Sequence, residues 1–234
     1  MNGKEPGERI ATIRKVGTGV NEMKKASGLR SVFQRIYSGM KPLLRLLIYR
    51  NWWTIRKNRI ILGKNVRITG RIQVMNDRKH PGSISIGDCS ALNSHYRKAN
   101  PLGYNTPCVF RLKNGGSISI GAHVGISNSV FVSYGEPISI GDYTLIGGGC
   151  KFYTTDFHPI SPELRRQGDL EHAKTGRIVI GENVFIGAGT TVLKGVHIGN
   201  NAVIGACSVV TREVPENEIW GGNPARLIKR IEGQ

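Results

Sequence analysis

Aliphatic residues recur at a strict six-residue interval in this 234-residue chain, and that period constrains the fold more than any other feature. Neither an α-helix nor an alternating strand produces a period of six over a long stretch. The clearest run is Ile180, Ile186, Val192, Ile198, Ile204 and Val210, and a glycine directly follows four of these residues. The same spacing recurs earlier, in Leu62/Ile68/Val74, Ile86/Leu92, Ile120/Ile126/Val132 and Ile140/Ile146/Phe152.

A period of six indicates one short strand and one corner in each repeat. The aliphatic residue points inward, the small residue beside it lets the backbone turn, and stacked turns bury a continuous aliphatic column. The alternative is a β-sandwich with glycine-rich turns, which six consecutive in-phase repeats disfavour. The sequence therefore predicts an all-β solenoid, and 31 glycines with only 7% aromatic residues agree with many tight turns.

The segments Ile180–Gly189 (IGENVFIGAG) and Ile198–Ala206 (IGNNAVIGA) resemble the hexapeptide-repeat acyltransferases. The resemblance runs roughly from Asn58 to Ile231, and it is strongest to the galactoside and maltose O-acetyltransferases and to relatives that modify bacterial surface polysaccharides. It implies a left-handed parallel β-helix with three hexapeptides in each triangular coil. It also implies acetyl-CoA as the donor, a sugar hydroxyl as the acceptor, no metal, and a homotrimer with active sites between subunits.

The predicted organisation has three parts. Residues 1–57 form a basic, partly helical N-terminal extension outside the resemblance. Residues 58–214 form the β-helix, with an inserted loop at 153–177 that is rich in charge, His and Pro; such projecting loops usually carry the function of a repeat fold. Residues 215–234 form a tail with a short helix that closes the coenzyme A site.

His158 is the candidate catalytic base among six histidines. An isolated His is more often structural, but His158 precedes Pro159 where a coil ends and the loop begins, and this resembles the family's His-Pro motif. A sugar hydroxyl needs a base to remove its proton as it attacks a thioester, and neutral imidazole suits that task. Pro159 restricts the backbone before it. Asp156 either orients the imidazole or is a surface carboxylate of the loop, and both interpretations stay open.

The resemblance implies further site residues. The N–H of Ala188 corresponds to the family's oxyanion donor, although by its own residues Ala188 is a repeat corner. Asn128 is the candidate acceptor-binding residue, with a structural turn as the alternative. Ala206, Thr211 and Arg212 match positions that contact the pantetheine arm or adenine nucleotide in the family. The basic residues of the tail, Arg226, Lys229 and Arg230, can contact the phosphates of the coenzyme.

The tail that carries Arg226 and Lys229 includes a Gly-Asn-Pro-Ala-Arg segment that matches the family's coenzyme A closure. A guanidinium can bind phosphate oxygens in a bidentate manner, so Arg226 is the stronger phosphate ligand. Pro224 favours the first turn of a short helix.

Positive charge is concentrated at the N-terminus. Residues 1–60 carry 14 Lys and Arg against three Glu, a net +11 out of +17 for the chain, which favours an anionic partner. Lys41, Arg45 and the apolar run 43–49, followed by Trp52 and Trp53, resemble a helical anchor at a membrane surface. The alternative is that this segment packs on the open end of the β-helix. The run is too short to span a bilayer and no secretory signal is visible, so a cytoplasmic location is expected, with peripheral contact at the inner membrane face.

Other classes fit the sequence less well. The four cysteines form no C-x-x-C pair, which favours a reducing compartment. A γ-class carbonic anhydrase needs two His ligands five positions apart, and no two histidines have that spacing. A nucleic-acid-binding module is disfavoured because the chain shows no recognisable nucleic-acid-binding motif. A non-catalytic scaffold is disfavoured by the His-Pro and Gly-Asn-Pro-Ala-Arg segments.

The expected function is O-acetyl transfer in surface polysaccharide or lipopolysaccharide synthesis, with a small-sugar acetyltransferase as the alternative.

Overall fold

The computed structural model describes residues 42–95 and 106–232, without the side chains of residues 42–49. The chain divides into two units after Leu46, and the architecture below is that of the second unit. In these two ranges, helix α1 (Pro42–Lys57) precedes twenty short strands, and a second helix, α2 (Pro162–Arg166), lies between the twelfth and thirteenth strands. Within the described ranges, neither helix is long and apolar enough to cross a membrane.

The strands form three sheets, and each strand of the solenoid pairs in parallel with the strand three places along the chain. The first sheet contains β1 (Ile61–Leu62), β4 (Ser83–Ile86), β7 (Ser117–Ile120), β10 (Ile138–Ile140), β13 (Ile178–Ile180) and β16 (His197–Ile198). The second contains β2 (Arg67–Gly70), β5 (Ala91–Ser94), β8 (Gly125–Ser127), β11 (Leu145–Ile146), β14 (Phe185–Ile186), β17 (Val203–Ile204), β19 (Glu218–Gly222) and β20 (Ala225–Arg230). The third contains β3 (Gln73–Asn76), β6 (Val109–Lys113), β9 (Val130–Tyr134), β12 (Lys151–Tyr153), β15 (Thr191–Val192) and β18 (Val209–Val210).

Three consecutive strands make one coil, so β1–β18 form six stacked coils. We call β1–β12 the early coils and β13–β18 the late coils. The turn from the second to the third sheet is the second corner, and the turn from the third sheet to the next coil is the third corner. This arrangement confirms the predicted left-handed parallel β-helix.

The six-residue period appears in the structure as stacked columns of buried side chains. Ile140 lies opposite Ile180, which lies opposite Ile198, and each is at most 4% exposed. In the third sheet the buried rings of Phe110, Phe131 and Phe152 stack with centroids 5.3 and 4.7 Å apart. Each buried aliphatic or aromatic side chain contributes about 1.5–3 kcal/mol of transfer free energy, so the columns stabilise the coils.

The corners require small residues because successive coils approach closely. A Cβ added to Gly141 would lie 2.6 Å from the backbone of Gly181 in the next coil, and no real Cβ makes such a contact. Asn183 and Asn201 have φ values of 55° and 59° in the following turns. Asn tolerates this left-handed conformation better than most residues.

The C-terminal part of α1 packs on the first coil. Asn51 is 8% exposed; its Nδ2 donates to the Gly70 carbonyl at 2.6 Å and its Oδ1 accepts from the Ile72 N–H at 3.2 Å. Ile55 packs against the hydrophobic core. The structure therefore favours the interpretation that this segment covers the open end of the β-helix. Lys41 and the side chains of residues 43–49, Arg45 included, lie outside the described residues.

The predicted short C-terminal helix is wrong. Residues Ala225–Arg230 form β20, which pairs in antiparallel fashion with β19, and β19 itself pairs in parallel with β17. A helix would have left the outer edge of β19 with unpaired backbone groups, whereas β20 satisfies them. Pro224 lies in the connecting turn, after a cis peptide bond to Asn223.

Candidate active site

The inserted loop leaves the third corner after β12, and its two ends are joined to each other. Gly176 N–H donates to the Thr154 carbonyl at 2.9 Å, and Asp156 N–H donates to the Lys174 carbonyl at 3.0 Å. Inside the loop, the Arg165 guanidinium donates to the Pro159 carbonyl at 3.0 Å. Backbone pairing and internal hydrogen bonds therefore fix the loop as a defined surface at the third corner.

His158 lies near the start of this loop. Its N–H donates to the Asp156 carbonyl at 2.7 Å, and the preceding residue, Phe157, has a φ of 63°. Phe157 is held by a hydrogen bond from its N–H to Thr155 Oγ1 at 3.1 Å and by an edge-on contact with Tyr153 at 5.4 Å. The imidazole is exposed and makes no hydrogen bond within the part of the chain that the structure describes. Its backbone is thus fixed while its ring nitrogens stay available.

Asp156 contacts a lysine of the next coil. Its Oδ1 lies 2.7 Å from Lys194 Nζ, and the two side chains are 31% and 25% exposed. Among the described residues, no hydrogen bond joins this carboxylate to the imidazole of His158. The sequence left two roles open for Asp156: orienting the imidazole, or serving as a surface carboxylate of the loop. No contact among the described residues supports the first role. Instead the ion pair ties the base of the loop to the fifth coil.

His158 lines a cavity of about 150 Å³ between the loop and the outer face of the third sheet. Val132 lies on the outer face in the middle of β9, yet it is only 6% exposed, because the loop covers it. The cavity's other lining residues are Arg111, Lys113, Val132, Tyr134, Thr155, Phe157 and Leu170. Sequence reasoning missed the residues on β6 and β9. The only available signal was alternation along those strands, which places 109, 111 and 113 outward.

A second and more open cavity of about 650 Å³ adjoins the first. The two cavities share Lys113, Tyr134 and Leu170, and the larger one extends along the loop to Glu171. The carboxylate of Asp169 at its edge lies 2.8 Å from His172 Nδ1, and this hydrogen bond lowers the pKa of Asp169. Together the cavities form a groove that begins at His158 and opens to solvent.

Two of the predicted donor residues, Ala188 and Ala206, stack at the second corner. Cys207 N–H donates to the Ala188 carbonyl at 2.8 Å, and a Cβ on Gly187 would lie 2.5 Å from Ala206 N. The Ala188 N–H donates to no other described residue. An unpaired N–H beside small side chains leaves this corner open to a ligand.

The remaining donor candidates lie at different places. The turn between β19 and β20 reaches the second corner, because Gly222 N–H donates to Ser208 Oγ at 3.1 Å, and Arg226 follows this turn with its side chain exposed. Lys229 lies opposite Ile219, farther along β20. Thr211 and Arg212 directly follow β18 and are exposed at the third corner. The structure thus groups Ala188, Ala206 and Arg226 and separates them from Thr211, Arg212 and Lys229.

Asn128 is at the second corner and is 3% exposed. Its Nδ2 donates to the Thr106 carbonyl at 2.6 Å, and its backbone carbonyl accepts from Gly149 N–H at 3.0 Å. The width of the third sheet separates it from the third corner where His158 lies. A buried amide with a backbone partner there is not placed to contact an acceptor at His158 of the same chain.

No group of three His, Cys, Asp or Glu side chains within residues 42–95 and 106–232 is arranged to hold a metal ion. Two cysteines, Cys108 and Cys150, are buried in the core, and burial raises the pKa of Cys150 to about 11. A thiol with so high a pKa is a poor nucleophile, because the thiolate is the reactive form. The loop carries two histidines: the ring of His172 is hydrogen-bonded to Asp169, whereas that of His158 lines the cavity and has no hydrogen-bond partner among the described residues. His158 is therefore the candidate for proton transfer.

Comparison with known proteins gives consistent results. Residues 177–212 match the family described as bacterial transferase hexapeptide (six repeats). The chain is 36% identical over 155 residues to the galactoside O-acetyltransferase of Escherichia coli K12. The aligned region covers 66% of this chain and 73% of that protein. It is 41% identical over 117 residues to a putative acetyltransferase of Saccharomyces cerevisiae (50% of this chain, 58% of that protein). It is 40% identical over 94 residues to the galactoside O-acetyltransferase of Lactococcus lactis (40% and 44%). The chain spans about half the length of these last two relatives.

Solved structures show the same architecture. One is a mutant of AntD, an N-acyltransferase from Bacillus cereus, in complex with dTDP and coenzyme A. The two structures superpose with a TM-score of 0.56 at 25% identity, and the aligned region covers 76% of this chain and 89% of the AntD chain. AntD in complex with dTDP and 3-hydroxybutyryl-CoA has a TM-score of 0.59 at 24% identity, with 77% and 88% covered. The second likeness shows the fold alone.

Proposed function

This chain belongs to the bacterial hexapeptide-repeat transferase family, and from that premise we propose that it transfers an acetyl group from acetyl-CoA to a sugar hydroxyl. The observation that carries the proposal is His158, whose imidazole lines a cavity beneath an ordered loop and has no hydrogen-bond partner in the described chain. Relatives named galactoside O-acetyltransferase supply the acceptor class, and the complex of AntD with coenzyme A supports the donor.

In the proposed reaction, His158 accepts the proton of the acceptor hydroxyl as its oxygen attacks. The donor supplies the acetyl thioester carbonyl; a C–O bond forms to that carbon and the C–S bond breaks. The imidazolium then returns its proton to the leaving thiolate, so the base is regenerated and no charge is left over. A positioned general base of this kind contributes about 10²–10⁴-fold to the rate.

The second corner suits the donor. Its stacked alanines leave room for a narrow thioester arm, and the Ala188 N–H can donate to the negative charge that develops on the carbonyl oxygen. Arg226 lies at the same corner with its guanidinium exposed, where it can bind a phosphate in a bidentate manner. Thr211, Arg212 and Lys229 are proposed as further donor contacts.

The donor corner and the base lie at opposite edges of the third sheet. At about 3.3 Å per residue of extended chain, this separates Ala188 from His158 by on the order of 15 Å, too far for one hydroxyl to bridge. We therefore place the complete site between subunits, with the third corner of one chain facing the second corner of the next around a threefold axis. A closed ring of three satisfies every such interface.

The outer side of α1 supports a peripheral membrane location. Trp52 and Trp53 are 52% and 51% exposed, with Arg56 and Lys57 lying 5.6 and 4.8 Å from the centres of their rings. Exposed Trp beside basic residues suits the interface of an anionic bilayer, where each basic residue contributes about 1 kcal/mol. This location at the cytoplasmic face favours a membrane-linked polysaccharide or lipopolysaccharide acceptor. A small free sugar is the alternative, favoured by the galactoside O-acetyltransferase relatives.

The test combines glycan analysis with a purified assay. Mass spectrometry of surface glycans from producing cells should show an added acetyl group of about 42 Da, which is absent when His158→Ala replaces the wild type. Purified protein should release coenzyme A thiol from acetyl-CoA only when a sugar acceptor is present. Wild-type protein that neither acetylates glycans nor turns over any of a panel of sugars would contradict the proposal.

A further inference from the structure

We propose that the cavity beneath the inserted loop selects an anionic sugar, in which a phosphate or carboxylate group binds Arg111 and Lys113 while one hydroxyl faces His158. This inference rests on the proposed function for the reaction, but the anion site is defined by its own residues. It assigns an acceptor-selecting role to residues of the early coils.

The register of the third sheet places the two cations together on one surface. Arg111 and Lys113 are two positions apart on β6, so both side chains face outward. They lie directly opposite Val132 and Tyr134 of β9. Because side chains of a strand alternate between its two faces, these four face the same side of the sheet. The loop lies over this side and brings His158 into the same cavity.

The cavity has unbalanced positive charge. No carboxylate lines it among the described residues, and neither Arg111 nor Lys113 has an acidic partner within that part of the chain. Lys113 Nζ instead lies 5.2 Å from the centre of the Tyr134 ring. A guanidinium and an ammonium without a counter-charge in a shared concave site are suited to binding a phosphate or carboxylate.

The acids on neighbouring segments form no ion pair with these cations among the described residues. Asp77, which follows β3 beside Lys113, accepts hydrogen bonds from the N–H groups of Lys79 and Asn114 at 2.9 and 3.4 Å. Asp156 is paired with Lys194 at 2.7 Å, and Asp169 accepts a hydrogen bond from His172 at 2.8 Å. Glu171 lines only the larger, solvent-open cavity, where its side chain is exposed. The positive end of the groove therefore lies beside His158, and its acidic side chains lie at the outer mouth.

The remaining lining residues suit a sugar ring. Tyr134, Phe157, Val132 and Leu170 provide apolar surface on both the sheet side and the loop side. Pockets of this kind fix orientation with a few polar groups and bury the rest of the ligand against apolar side chains. The adjoining cavity of about 650 Å³ gives room for the rest of a glycan or for a nucleotide.

The test compares three acceptors in the purified full chain with saturating acetyl-CoA: a hexose 1-phosphate, the corresponding uronic acid, and the neutral methyl hexoside. We expect kcat/KM to be at least about tenfold higher for an anionic acceptor than for the neutral one. The phosphate and carboxylate arms identify which anion the site prefers. Equal or better turnover of the neutral sugar would overturn the proposal.

Variants locate the effect. Arg111→Gln and Lys113→Gln should each raise the KM for the anionic acceptor about tenfold, and should reduce kcat/KM more for the anionic acceptor than for the neutral one. The KM for acetyl-CoA should not change. The matched control is Arg67→Gln, because Arg67 is an exposed arginine on the second sheet, outside the cavity. An unchanged acceptor KM in both cavity variants, or the same rise in the control, would refute the assignment.

A binding measurement separates this proposal from the proposed function. Calorimetric titration of the hexose 1-phosphate into the protein without acetyl-CoA should show binding that Arg111→Gln weakens about tenfold and that Arg67→Gln leaves intact. Binding with this pattern supports the anion site even if no acetyl transfer is found with that sugar. No binding to the wild type, or equal binding to Arg111→Gln, overturns it whatever the activity.

Discussion

The late coils and the early coils bury the same kind of column, but they differ in regularity and in what they carry. The late strands β14 to β18 are two residues long and follow one another without interruption. The early coils contain longer strands, an interruption after β5, and the inserted loop after β12. Donor candidates Ala188 and Ala206 lie on the late coils, whereas the His158 cavity is built on the early coils. Regular repeats supply a scaffold and an open corner, and the proposed chemistry and specificity lie where the chain departs from the repeat.

The largest expected effect tests the early side of this comparison. His158→Ala should reduce kcat by about 10²–10⁴-fold, because among the described residues that line the cavity only His158 carries an imidazole and none carries a carboxylate. His158→Asn should behave similarly, since an amide cannot accept that proton. The KM for acetyl-CoA should change little, because none of the proposed donor contacts depends on the imidazole.

His123→Ala is the matched control for this prediction. His123 is exposed and stacks on Tyr143 with ring centroids 4.7 Å apart, away from the cavity. It should keep at least about a tenth of wild-type activity. Near-normal turnover in His158→Ala would assign the base to another residue.

The next prediction compares the stability of the two regions. Phe131→Ala in the early stack should lower the free energy of unfolding by about 3–5 kcal/mol, since its ring packs between Phe110 and Phe152. Ile186→Ala in the late coils should cost about 2–5 kcal/mol. Urea denaturation followed by circular dichroism measures both. A negligible loss for Phe131→Ala would show that the early coils tolerate cavities that the late coils do not.

Arg226→Ala tests the donor site proposed at the second corner, where the turn between β19 and β20 contacts the late coils. Loss of a phosphate contact at the second corner should raise the KM for acetyl-CoA about tenfold, with a smaller effect on kcat at saturation. Initial-rate kinetics at several donor concentrations separate the two parameters. A fall in kcat alone would indicate that Arg226 acts in the chemical step. It would contradict the assignment of donor binding to the second corner and of the chemistry to the His158 cavity.

The smallest expected effect concerns Asp156. Asp156→Asn removes the charge that binds Lys194 but keeps the backbone carbonyl that accepts from His158 N–H. We expect a loss of a few-fold in kcat, because partly exposed ion pairs contribute about 0–1 kcal/mol. Lys194→Met should give a similar loss. A loss as large as that of His158→Ala would instead assign Asp156 a direct role at the imidazole.

The sequence predicted the fold and the position of the inserted loop because both follow from local periodicity. It failed at residues 225–230, where an apparent helix start after Pro224 was overridden by the open edge of β19. It also missed Arg111, Lys113 and Tyr134, because nothing in the order of residues shows that a loop farther along the chain covers them.

By itself, the sequence determined the β-helix, because a six-residue aliphatic period can bury its side chains only by stacking short strands and corners. It also determined the candidate base, because a His-Pro pair at the end of a coil carries a recognisable resemblance. The tertiary structure alone decided which residues share a site. Asp156 contacts Lys194 instead of His158, and Asn128 is buried at the far corner. Such contacts depend on how coils distant in sequence come into register, and hydrogen bonding between stacked coils sets that register.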